Sequence, residues 1–275
     1  MTLSSSQRLA AMLDVELWIR RFPVATTPAT PWTVLFFPHS GGSAGSYQHL
    51  AAQVAGMART ACVQYPGRAE RGGEPLFTDV HVLADQVAEA LPAARENAPV
   101  IFFGHSLGAA VAYEVVRRTP DQRHIVLVAS GHPAPSRLEL SALDSVSDDS
   151  EDSDEPLIEL IKSLGGADAD LLDHPVLRRM FLPVIRSDLM AHRRYRPEAG
   201  SAVNCPVIAL MGATDPLTNA PDVQAWEQHT SSSLRVHVLP GGHFFTNQHI
   251  DEVVDILRRI MTTDRDALGV HASGI

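Results

Sequence analysis

The stretch Val100-Ile101-Phe102-Phe103-Gly104-His105-Ser106-Leu107-Gly108-Ala109-Ala110 constrains this chain more than any other. An apolar run suited to a fully buried strand stops at Gly104, and a helix-compatible run begins after Gly108. Between them lies Gly-x-Ser-x-Gly. A turn sharp enough to push the serine hydroxyl out at the top of a sheet brings backbone very close, and a Cβ two residues either side would collide. The same turn sets Ser106 near a helix N-terminus, where free N–H groups and the helix dipole favour developing negative charge. Ser106 is therefore the candidate nucleophile.

The rest of the chain supplies a matching frame. Residues 32–38, 60–66, 124–131, 206–212 and 234–240 are short apolar runs closed by Gly or Pro, as buried strands are. Residues 16–22 suit an edge strand or a short extended arm. In 79–91 the residues Val80, Leu83, Val87 and Leu91 recur at helical spacing. Strands alternating with helices predict a mostly parallel sheet flanked by crossover helices. Together with the elbow this is the α/β-hydrolase fold, expected as a single domain over 1–275.

The alternation breaks over 133–197. An acidic run comes first (Asp144, Asp148, Asp149, Glu151, Asp152, Asp154, Glu155) and reads as a solvated loop. Two apolar stripes follow: Leu157, Leu160, Ile161 and Leu164, then Val176, Met180 and Val184 beside Leu177, Phe181 and Ile185. Pro183 is placed to kink the second helix. A helical insertion at this point predicts a lid over the active site, with a core-packed helical pair as the alternative. Met180, Phe181 and Val184 are its candidate pocket residues, together with His39 and Phe244.

A nucleophilic serine needs an imidazole to take its proton and a carboxylate to orient that imidazole. In this fold the chain order is Ser, then Asp or Glu, then His. Of 13 histidines, only His243 lies directly after the last strand, in a Gly-Gly turn that leaves its ring free to reach Ser106. Asp215 ends the preceding strand with a proline behind it and is the candidate acid. Asp188, in the insertion, is the competitor, better explained as a surface or hinge contact. The loop after the first buried strand, His39-Ser40-Gly41-Gly42-Ser43, points to the backbone N–H of Ser40 as one oxyanion donor, and that of Leu107 as the other.

Composition narrows the remaining classes. A formal net charge of −10 argues against nucleic acid as a partner. No apolar run approaches the roughly 18–20 residues that span a bilayer, and the first residues lack the pattern of a signal peptide. Cys62 and Cys205 read as small core residues, and a cytoplasmic protein is expected. A serine triad needs no metal or cofactor, and the histidines show no companion cluster for a metal.

With those residues in place, the chain resembles the type II (external) thioesterases that accompany polyketide synthases and non-ribosomal peptide synthetases. The resemblance rests on Leu17-Trp18-Ile19-Arg20-Arg21-Phe22, Phe37-Pro38-His39-Ser40-Gly41-Gly42-Ser43, Tyr65-Pro66-Gly67-Arg68 with Arg71, and the elbow. It continues through Leu182-Pro183-Val184-Ile185-Arg186-Ser187-Asp188, Gly212-Ala213-Thr214-Asp215-Pro216 and Gly241-Gly242-His243-Phe244-Phe245, in family order over nearly the whole chain. The family commonly carries alanine, leucine and methionine where this chain has Ser40, Tyr65 and Leu107. The resemblance implies hydrolysis of acyl thioesters on the phosphopantetheine arm of an acyl or peptidyl carrier protein, to edit stalled or misprimed assembly lines. The arginine-rich stretch 178–196 is then a candidate docking face. A carboxylesterase acting on small free esters would share the same triad and is the alternative.

Overall fold

The structure is a computed structural model that describes residues 15–23, 28, 30–94, 98–138, 154–165 and 172–267. Side chains alternate across its sheet. In β2 (Thr33–Phe37), Leu35 and Phe37 enter one apolar cluster while Val34 and Phe36 enter the other. The same division holds in β4 (Val100–His105), β5 (Ile125–Ser130) and β6 (Val207–Gly212), whose residues are buried throughout. Strands apolar on both faces need cover on both, and helices supply it.

Among the described residues the sheet has seven strands in the order β1-β3-β2-β4-β5-β6-β7, where β1 is Ile19–Arg21, β3 Arg59–Val63 and β7 Leu234–Leu239. Only β1 runs antiparallel, pairing Ile19 with Val63 at the edge. One face is covered by α2 (Val80–Ala94) and α3 (Leu107–Arg118), the latter buried along ten consecutive residues. The other is covered by α1 (Gln48–Val54) and α6 (Ile250–Ala267). All sequence-expected strands are present. Helix α1 was not expected, because Leu50, Ala51 and Val54 give too short a pattern. The last helix runs to Ala267.

Among the described residues, the helices α4 (Glu155–Leu164) and α5 (Pro175–Arg194) are inserted between β5 and β6. They share a small core of Leu157, Ile158, Leu172, Leu182 and Met190. Pro183 lies inside α5, which runs on to Arg194. At its far end α5 is tied to the main core. Glu114 of α3, fully buried, accepts the Tyr195 hydroxyl at 2.7 Å and ion-pairs with Arg117 at 2.9 Å and Arg118 at 2.5 Å. The acidic positions 144–152 lie outside the described residues. Of the run's last two members, Asp154 pairs with Arg186 at 2.7 Å, and Glu155 lies 3.6 Å from Arg178.

Candidate active site

Ser106 sits between β4 and α3 with φ 53° and ψ −125°, a left-handed backbone rarely taken by a residue with a side chain. Strain of this kind costs on the order of 1–3 kcal/mol and persists only where the surroundings impose it. Here the Ser106 N–H donates to the Ser130 carbonyl at 2.8 Å, and its own carbonyl accepts from Ala109 at 2.8 Å. The flanking glycines are sterically required: a Cβ on Gly104 would overlap the Gly108 carbonyl, and one on Gly108 would overlap Phe37.

Asp215 and His243 are brought together from the loops after β6 and β7. The Asp215 side chain is fully buried, with Oδ1 accepting the Leu217 N–H at 2.9 Å and Oδ2 the Thr218 hydroxyl at 3.0 Å. His243 Nδ1 lies 3.1 Å from Oδ1 and 3.0 Å from Oδ2. A carboxylate so placed accepts the Nδ1 proton and leaves the Nε2 lone pair facing away, as a base requires. Gly241, at φ 98°, makes the turn that delivers the ring.

Ser106 and His243 line one cavity of about 70 Å³ with Ser40, His39 and Phe244. Its remaining walls are Leu160, Ile161 and Leu164 from α4, Ile185, Leu189 and His192 from α5, and Leu217. Met180, Phe181 and Val184 are not among them. Met180 is 61% exposed, Val184 is buried away from the cavity, and Phe181 packs on the core of the inserted helices. The reason is rotational. The face that meets the cavity is Ile185, Leu189 and His192, spaced i, i+4, i+7; of the stripe read from sequence it holds Ile185, while Met180 and Val184 are turned off that face and Phe181 lies one turn before it.

Of the two expected oxyanion donors, Ser40 lines this cavity, and Leu107 follows the lining Ser106 in the chain. Leu107 is the first residue of α3, so its N–H has no acceptor within the helix. His39 to Gly42 form a β-turn closed by the Gly42 N–H donating to the His39 carbonyl at 2.9 Å, with Gly41 at φ 78° in its third position. That is the type II pattern, which demands glycine there. The Ser40 hydroxyl is buried without a hydrogen-bond partner.

Four more histidines surround the site. Burial, with His243 and Arg68 nearby, pushes the His39 imidazole down to about 4. His105 is also held well below its usual range by burial and by His243, and its Nδ1 lies 3.0 Å from the Ser130 hydroxyl. Sequence reasoning missed a pair: His132 Nε2 lies 2.8 Å from His192 Nε2. His132 Nδ1 is 2.6 Å from the Pro133 carbonyl and must donate to it. Neutral His132 then accepts at Nε2 from His192, which fixes both tautomers. Burial lowers both imidazoles, that of His132 to about 4.

On another side of α5 lies a second cleft of about 450 Å³, lined by Arg178, Arg179, Arg186 and Arg194 together with Asp154 and Met190.

A mostly parallel sheet with a strained serine at its central elbow and an Asp–His pair at later strand ends defines an α/β hydrolase. Residues 33–261 match the thioesterase domain family, and by that match the chain belongs to it. It is 35% identical over 256 residues to the thioesterase PikA5 of Streptomyces venezuelae, an alignment covering 91% of this chain and 88% of that one. Its fold is similar to the type II thioesterase BorB from the borrelidin biosynthetic cluster (34% identity, TM-score 0.74, 89% of this chain and 96% of the other). The same holds for RedJ, a thioesterase of the prodiginine pathway of Streptomyces coelicolor (34%, TM-score 0.74, 86% and 94%). The chain is thus a thioester hydrolase of the type II group found with polyketide and non-ribosomal peptide pathways. No described helix is long and apolar enough to cross a membrane.

Proposed function

We propose that the chain hydrolyses acyl thioesters carried on the phosphopantetheine arm of an acyl or peptidyl carrier protein, through an acyl-enzyme on Ser106. The observation that carries this reading is the strained Ser106 sharing a cavity with a His243 whose Nδ1 is committed to Asp215. His243 Nε2 takes the Ser106 proton as Oγ attacks the thioester carbonyl. The tetrahedral oxyanion is received by the N–H groups of Ser40 and Leu107. As the C–S bond breaks, imidazolium returns its proton to the leaving thiolate. A water that gives its proton to His243 then attacks the acyl-enzyme, and free acid leaves with Ser106 restored. The apolar walls supplied by α4 and α5 keep bulk water from the ester, which makes the two inserted helices a lid in function. The arginine-lined cleft on the other side of α5 suits an acidic carrier.

Intact-protein mass spectrometry tests this directly. Acyl-loaded carrier protein incubated with the wild type should lose the acyl mass and keep its phosphopantetheine arm. With Ser106→Ala it should stay loaded. If the wild type leaves the carrier loaded while cleaving a small free ester, the carboxylesterase reading replaces this one.

A further inference from the structure

The Pro-Gly-Arg motif and the Arg-Ser-Asp motif are 120 residues apart in sequence and meet in one buried ion pair. Arg68 Nη1 donates to Asp188 Oδ2 at 2.6 Å and Nη2 to Oδ1 at 2.7 Å. The two side chains are 5% and 0% exposed. Of the surface or hinge contact expected from sequence, burial removes the surface alternative for Asp188. Its Oδ2 also accepts the Gly41 N–H at 2.8 Å, and Arg68 Nη1 reaches the Gly42 carbonyl at 3.3 Å. Gln64 adds a further hold, accepting the Ala44 N–H at 3.0 Å. The loop that carries Ser40 is thus gripped from α5 by a carboxylate and from the strand β3 side by a guanidinium. It also has no slack: a Cβ on Gly41 would lie 2.5 Å from Ile185 Cγ1 of α5.

A buried bidentate pair is a poor stabilising device, because desolvating two charges offsets most of their attraction. What this pair does have is geometry. Asp188 fixes the peptide between Ser40 and Gly41, immediately after the N–H that donates to the oxyanion. We infer that Asp188, oriented by Arg68, is the positioning residue of the oxyanion loop, and that it makes catalysis conditional on α5 being seated. With α5 displaced, the Gly41 N–H loses its acceptor and the turn is free to relax. This inference rests on the Ser40 role assigned above.

Removing one charge alone would strand the other in the core, so the test is made in a background lacking both. Arg68→Met/Asp188→Asn keeps an amide oxygen that can accept the Gly41 N–H; Arg68→Met/Asp188→Leu does not. We compare kcat and KM with an acyl-pantetheine substrate, melting temperature, and inhibition by an alkylboronic acid whose serine adduct places an oxygen in the oxyanion position. The leucine double variant should lose about a hundredfold in kcat, the scale of one oxyanion donor, with KM changed less than about threefold. Its boronate inhibition constant should rise in parallel. The asparagine double variant should lose about tenfold or less. Equal kcat values in the two, or a loss confined to KM, would overturn the inference, as would loss of kcat that follows melting temperature rather than the acceptor. Ser106→Ala run alongside separates the two levels. If it retains full turnover, the Ser106 mechanism itself fails, whatever the double variants do.

Discussion

At the scale of single residues, Ser40 separates what a backbone does from what a side chain does. Its hydroxyl is buried and unpartnered, and its N–H is the proposed oxyanion donor. Ser40→Ala removes an unsatisfied hydroxyl and keeps the N–H, so the melting temperature should hold or rise. Ser40→Pro keeps the turn, since proline suits the second position of a type II turn, but deletes the N–H. The proline variant should lose about 10²–10³-fold in kcat relative to the alanine variant, with both folded by circular dichroism. Equal kcat in the two would remove Ser40 from the oxyanion site. The proposed catalytic residues could be singled out from sequence one by one for a related reason. Ser106, Asp215 and His243 sit at strand ends, and local sequence (glycines, a following proline) marks each position. His132 and His192 carried no such mark, because what gives them meaning is a partner 60 residues away.

At the scale of elements, the strands were read well because burial on both faces makes them nearly continuous apolar runs. The inserted helices were read less well, because α5 is apolar toward two different neighbours. It faces the cavity with Ile185 and Leu189 and the core of the inserted helices with Leu182 and Met190. A stripe alone gives amphipathicity, not which side meets the substrate. Asp188 was left as a surface or hinge contact for the same reason: sequence shows a charge on a helix, while its partner lies on a loop far upstream. The cavity they enclose, about 70 Å³, is far below the roughly 300–1,000 Å³ of a site for a drug-sized ligand, and the expected outcome is a preference for short acyl groups. Acetyl or propionyl thioesters should be cleaved with higher kcat/KM than octanoyl. Leu189→Ala should shift that ratio toward octanoyl by about 10-fold or more, the scale of a methylene or two in an apolar pocket. Steady-state kinetics over a chain-length series would show it, and an unshifted ratio would mean that the acyl chain leaves by another wall.

For the whole molecule, the buried histidines govern stability in mild acid. His39, His105, His132 and His192 are all held neutral by burial, with His39 and His132 brought down to about 4. An unfolded chain protonates the same side chains near pH 6.5, so below that it binds more protons than the native state. Stability should be flat above about pH 7 and fall as pH drops from about 6.5 toward 4, by up to about 1.4 kcal/mol per pH unit for each histidine. Carboxylates held low, such as Glu74 by its hydrogen bonds to Arg71, act only in a lower window, below about 4.5. Urea titrations at pH 7, 6 and 5 would measure the slope, and equal midpoints would show the histidines to be solvated. The Arg68–Asp188 pair carries a separate lesson about modularity. Residues 133–197 look like a cassette that could be exchanged between related enzymes to graft one acyl preference onto another. Yet this cassette carries half of an ion pair whose other half stays in the recipient, along with the acceptor for the recipient's own loop. The unit of inheritance is therefore discontinuous: a graft that swaps the helices must match positions 41, 64 and 68 as well, or it moves the pocket and leaves the chemistry behind.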